Sequence, residues 1–181
     1  LGEARALADA MRGGSWHALE MAERLARLDP VLAVSALEAG AVASEDSASF
    51  LAVMRLAEIS GEAATEALVR LLPRLSDPAS RIQAATAAFA RGRREGLDDL
   101  VKTWREGLAE MHRKPAPGAS ARRSTWDLAL DALAKTRDPT ALQALAAGLA
   151  GEPPLVRSAV VARFVPTGRR MSESVDEQGP T

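Results

Sequence analysis

The chain has 181 residues, 47% hydrophobic but only 3% aromatic, with neither Tyr nor Cys. That length suits one sizeable core or a short repeat array, and the missing cysteine excludes disulfides, thiolate nucleophiles and cysteine-ligated metals. A formal net charge of −1 with a pI near 6.2 speaks against a strong phosphate-binding footprint.

No apolar run reaches the roughly 18 residues that a membrane span requires. The opening Leu1-Gly2-Glu3-Ala4-Arg5 has no basic region leading into an apolar one, so it does not read as a signal peptide. It also lacks an initiator Met, as a piece of a longer protein would. A cytoplasmic location is the expectation.

Ala and Leu supply most of the apolar surface, and both favour helix, while β-branched and aromatic residues are sparse. No segment alternates apolar and polar residues as a half-buried strand would. The expected fold class is all-α. Taken in chain order, helices are predicted over 2–12, 15–28, 30–43, 46–59, 62–75, 78–91, 96–112, 120–136, 139–150 and 153–165. Their apolar stripes follow i, i+3, i+4, i+7 spacing, as in Phe50, Val53, Met54 and Ala57, then Leu68, Leu71, Leu72 and Leu75. Leu97, Leu100, Val101 and Trp104 repeat it, as do Trp126, Ala129, Leu130 and Leu133, and Leu142, Leu145, Ala146 and Leu149.

The punctuation between stripes has a mechanism. Asp29-Pro30, Asp77-Pro78 and Asp138-Pro139 each place a carboxylate where it can accept orphan N–H groups and a proline where no N–H is needed. Gly14, Gly40, Gly61, Gly92 and Gly151 fall where helices should stop, and left-handed caps are expected there. Connections of two to four residues force antiparallel neighbours. Residues 113–119, rich in Pro and Gly, read as a longer loop. Residues 166–181 read as a polar tail after a helical domain spanning 1–165.

Self-similarity sharpens the architecture. Ala67-Leu68, Leu71 and Leu75 recur 74 positions later as Ala141-Leu142, Leu145 and Leu149, and Pro78 to Arg81 recur as Pro154 to Arg157. Leu71-Leu72-Pro73, Leu75, Asp77-Pro78, Arg81, Ala84-Ala85 and Phe89 resemble one HEAT repeat. Pro154, Val156 and Arg157 match its turn more closely, while Ser80 replaces the Val in the earlier copy. The resemblance implies an α-solenoid of about five antiparallel helix pairs, a HEAT-like superhelix whose second helices line a concave binding surface. It also implies that Arg81 and Arg157 pair with acidic groups of neighbouring repeats. The 113–119 loop interrupts the fourth pair.

Nothing in the sequence reads as a catalytic set, a metal site or a cofactor site. His17 and His112 are the only histidines. His17 shares a helix face with Glu20 but lacks further ligands, and His112 ends a helix beside Arg113-Lys114, where a cation complements the dipole. Asp98-Asp99 and Glu45-Asp46 read as helix-start caps, and Asp127, Asp131 and Lys135 as a surface ion-pair ladder. Trp104 and Trp126 fall on apolar stripes and read as core; Trp16 opens a helix.

Charge is uneven. Residues 1–80 hold seven Lys/Arg against twelve Asp/Glu, residues 81–123 ten against five, and residues 124–181 six against seven. Arg91, Arg93 and Arg94, with Arg113, Lys114, Arg122 and Arg123, are the candidate binding residues. The expected function is a non-catalytic protein–protein interaction scaffold, with another protein as partner. The alternative is binding of nucleic acid or another polyanion through 81–123, in the manner of the helical-repeat DNA glycosylases, whose catalytic residues have no counterpart here.

Overall fold

Each aspartate–proline pair opens a helix. Asp29 Oδ1 accepts the Leu32 N–H at 2.9 Å, Asp77 Oδ2 accepts that of Ser80 at 2.7 Å, and Asp138 Oδ1 accepts that of Thr140 at 2.7 Å. In each case a short carboxylate satisfies a donor that the first helical turn leaves without a partner.

The structure, a computed structural model, describes residues 2–13, 15–43, 46–113 and 125–164. Those residues form eleven helices and no strand: α1 (Gly2–Arg12), α2 (Trp16–Glu20), α3 (Ala22–Leu28), α4 (Pro30–Ala43), α5 (Asp46–Glu58), α6 (Glu62–Leu71), α7 (Pro78–Ala90), α8 (Arg94–Arg113), α9 (Thr125–Thr136), α10 (Pro139–Gly148) and α11 (Pro154–Phe164). The chain is all-α, as composition and periodicity predict. The tail and most of the 113–119 loop lie outside the described residues.

Several boundaries differ from the sequence reading, each for a local reason. The helix expected over 15–28 breaks at Met21, whose N–H turns back to Ala18 O and whose backbone leaves the helical region. The helix expected over 62–75 ends at Leu71. Pro73 has no N–H to offer Val69, so Leu72 N bonds Val69 O at 3.2 Å in a tightened last turn. Helix α8 starts two residues earlier than expected, so Asp98 and Asp99 fall inside it and are not its caps.

The glycines divide by role. Gly92, at φ +83, ends α7 in the left-handed conformation, with Gly92 N on Phe89 O and Arg93 N on Ala88 O. Gly40 does not cap anything. It lies within α4, and a Cβ there would meet the Met11 carbonyl oxygen at 2.3 Å, so its bare Cα is what lets α1 and α4 touch. Gly151 is not left-handed either; Arg137, at φ +52, takes that conformation after α9.

Packing runs between near neighbours in the chain. Helix α4 packs on α1, α3, α5 and α6; α6 packs on α7, α7 on α8, and α8 on α9. A second set of contacts links alternate helices: α5 lies against α7 and α7 against α9, with α2 on α5 and α11 on α9. The core is built from Leu19, Leu25, Leu37, Leu56, Leu68, Leu71, Leu100, Leu130 and Leu133, with Trp104 at 0% exposure its largest member. Small alanines on α7, Ala84, Ala85 and Ala88, fill the spaces between, which permits close helix approach. Helix α10 adds only Ala141 and Leu145, and α11 adds Val160.

Candidate functional site

The cations predicted to form a binding region are used in different ways. Arg91 is structural. Helix α5 ends at Glu58, and the Arg91 guanidinium donates to Ala57 O at 2.6 Å and Ile59 O at 2.8 Å, closing carbonyls that the helix end leaves open. Arg93 lies among Glu66 at 2.7 Å, Glu62 at 3.2 Å and Glu95 at 3.5 Å, and the charge of Glu66 foremost raises its pKa. Arg94 is the exposed member of the trio, with Asp98 4.0 Å away. The side chain of Arg113, and all of Lys114, Arg122 and Arg123, lie outside the described residues.

Arg94 does belong to a cationic surface, though one made with different companions. It lines a groove of about 470 Å³ between α8 and α10 with Lys102 and Arg105, interleaved with Asp98 and Glu106. Arg94, Asp98, Lys102 and Arg105 follow each other at helical spacing, and that spacing could have flagged Lys102 and Arg105 from sequence. The groove holds both signs of charge.

A second groove, of about 290 Å³, runs across α5, α7 and α9. Phe50, Ile82 and Leu128 give it an apolar floor, while Gln83, Thr86, Asp131 and Lys135 supply polar groups. Its residues come from three different helices that lie side by side, so no single amphipathic pattern could announce it. Sequence periodicity marks Phe50 and Ile82 as core positions, and each keeps only part of its side chain within reach of solvent.

Arg81 holds the seam between α7 and α8. Its Nε donates to Asp99 Oδ2 at 2.8 Å and a second nitrogen donates to Oδ1, in the two-pronged geometry that suits guanidinium and carboxylate. Hydrogen bonding to Asp99, more than opposing burial, raises its pKa. The pair joins one helix to the next.

The remaining candidates behave as surface or core. His17 is fully in solvent, 3.8 Å from Glu20, and the Trp16 indole N–H also donates to Glu20 at 3.1 Å. Trp104 is buried, and Trp126 packs half-buried against the core. Among the described residues, no three His, Asp or Glu side chains are grouped to hold a metal ion, and no helix is long and apolar enough to cross a membrane.

No protein-family model, curated protein or solved structure matches this chain.

Proposed function

We propose that the chain is a non-catalytic docking scaffold, a HEAT-like array of five helix pairs that takes a partner protein along the face formed by α5, α7 and α9. The observation carrying this reading is the groove that crosses those three helices. In the pairing drawn from the sequence they are second helices, the ones that line the binding surface in a HEAT array. Contacts confined to helices close in sequence, with α5, α7 and α9 in lateral register, support the same architecture. An apolar floor of Phe50, Ile82 and Leu128 edged by polar groups suits a protein segment better than a small polar metabolite.

The test is site-specific photo-crosslinking in native lysate, with a benzophenone side chain at Gln83 in the groove and, as control, at Glu58 at the exposed end of α5. One discrete protein adduct at Gln83 and none at Glu58 is the expected result. Equal labelling at both positions, or none at either, overturns the reading. A polyanion partner has one observation in its favour, the shared groove of Arg94, Lys102 and Arg105. Retention of nucleic acid that falls steeply with salt, and is lost in Lys102→Ala with Arg105→Ala, would establish it instead.

A further inference from the structure

The two ten-residue helices α6 and α10 are held very differently. Helix α6 buries Ala64, Thr65, Ala67, Leu68 and Leu71, whereas α10 buries Ala141 and Leu145. Farther on, Val160 is the buried side chain among those described on α11, and Leu142 and Val161 are exposed. Charge reinforces the earlier helices: the Arg70 guanidinium on α6 donates to Glu38 on α4 at 3.0 and 2.7 Å. The hydrogen bonds of Thr140 and Ser158 stay within the first turns of α10 and α11. A segment with so few buried apolar groups opens at far less cost than the core it leans on.

Both ends of α10 bear on how it opens. The joint after α9 passes through Arg137 at φ +52, a left-handed conformation that a side chain makes unfavourable. The joint is therefore strained, and release of α10 allows it to relax. At the far end of the helix, Gly148 rests its bare Cα against Trp104 of α8, where a Cβ would run into ring atoms Cζ3 and Cη2. The Trp104 ring is 0% exposed, so it has no room to swing aside. Full closure of α10 thus depends on the missing side chain at Gly148.

We propose that the segment from Pro139 to Phe164 is a flap, which opens from α8 and α9 while the preceding helices stay folded. It turns on the joint at Arg137 and uncovers the edge of the Trp104 ring that Gly148 covers when closed. Opening has a specific consequence for the surface. Thr140 and Ala144 of α10 form one wall of the groove that holds Arg94, Lys102 and Arg105, so the open form dismantles that groove. The groove across α5, α7 and α9 contains no residue of the flap and stays whole. The flap therefore switches one of the two surfaces and spares the other, whether or not a partner protein docks on α5, α7 and α9.

The test is thiol labelling of the native full chain, which has no cysteine of its own to interfere. Ala67 on α6 and Ala141 on α10 occupy matched positions and are both 0% exposed, so Ala67→Cys and Ala141→Cys each bury a thiol. In Ala141→Cys the thiol should react with a disulfide reagent at least about a hundredfold faster than in Ala67→Cys. Its rate should also rise less steeply with urea, because a partial opening exposes less surface than unfolding. Adding Gly148→Ala should speed labelling of Ala141→Cys about tenfold and leave Ala67→Cys unchanged. Alanine is the better helix former, so fraying of α10 alone would instead be slowed. Equal rates and urea slopes at the two positions overturn the proposal. So does a Gly148→Ala effect that is absent, reversed or shared by both thiols.

Discussion

Helices α6 and α7 and helices α10 and α11 carry related sequence but lead different lives. Leu68 and Leu142 occupy equivalent positions of the repeat, yet Leu68 is fully buried and Leu142 is 43% exposed. Arg81 holds Asp99 on the following helix, whereas its counterpart Arg157 lies on the open side of α11 beside Pro154, Ser158 and Val161. Both segments carry Leu and Arg at these matched positions. What differs is how many neighbours are there to bury them: α6 and α7 are flanked by α4, α5, α8 and α9, while α10 packs mainly on α8 and α9 and α11 mainly on α9. Matched side chains in the sequence therefore specify a potential contact, and the neighbours of each helix decide whether it is made.

Substitutions at matched positions test that contrast, and the largest effect belongs to the leucines. Leu68→Ala should cost about 3 kcal/mol in denaturant unfolding through lost burial and a cavity. Leu142→Ala should stay within about 0.5 kcal/mol, because solvent already reaches that side chain. Similar losses at both would mean that α10 is held as firmly as α6.

Backbone contact gives the next largest difference. Gly40→Ala drives a methyl group into the Met11 carbonyl, an atom that cannot rotate aside, and should cost about 2 kcal/mol. Gly151→Ala meets nothing within 4 Å and should be nearly silent in the same melts.

The arginines come third. Arg81→Ala strands the Asp99 carboxylate, whose side chain is 12% exposed, and should cost about 1.5 kcal/mol. Arg157→Ala should change the unfolding midpoint little, and an equal loss would show that Arg157 has a partner of similar strength.

The smallest expected effect is electrostatic and lies at the start of α10. Hydrogen bonding from the Thr140 backbone leads the causes that hold the Asp138 carboxyl below its ordinary value of 3.8. A depressed folded-state pKa adds stability that is complete above the unfolded value and disappears as pH falls through the folded one. The advantage of the native chain over Asp138→Ala should thus persist at neutral pH and shrink below about pH 4. Thermal melts across that range would expose a constant difference, which is the result that rejects the linkage.

Much of the local structure was legible in the residues themselves. Asp29, Asp77 and Asp138 each predicted a helix start, because an aspartate carboxylate and a following proline meet the needs of a first turn without help from the rest of the chain. Gly92 predicted a left-handed stop for the same local reason. Gly40 misled, since a glycine that removes a Cβ for a neighbouring helix looks in sequence like one that ends a helix. Met21 carried no breaking signal at all. The contacts of the basic region were not legible in sequence: Arg91 reaches carbonyls more than 30 residues away, and Arg93 joins glutamates from another helix, so neither contact has a trace in local spacing.

By itself, then, the sequence determined the class of fold and most helix boundaries, since these depend on hydrogen bonds and apolar faces within one or two turns. Only the tertiary structure decided which repeat positions are buried, which arginines are occupied, and which side chains from α5, α7 and α9 share a groove. Those outcomes arise where separate helices meet, and the distances between helices are set by packing against every neighbour at once.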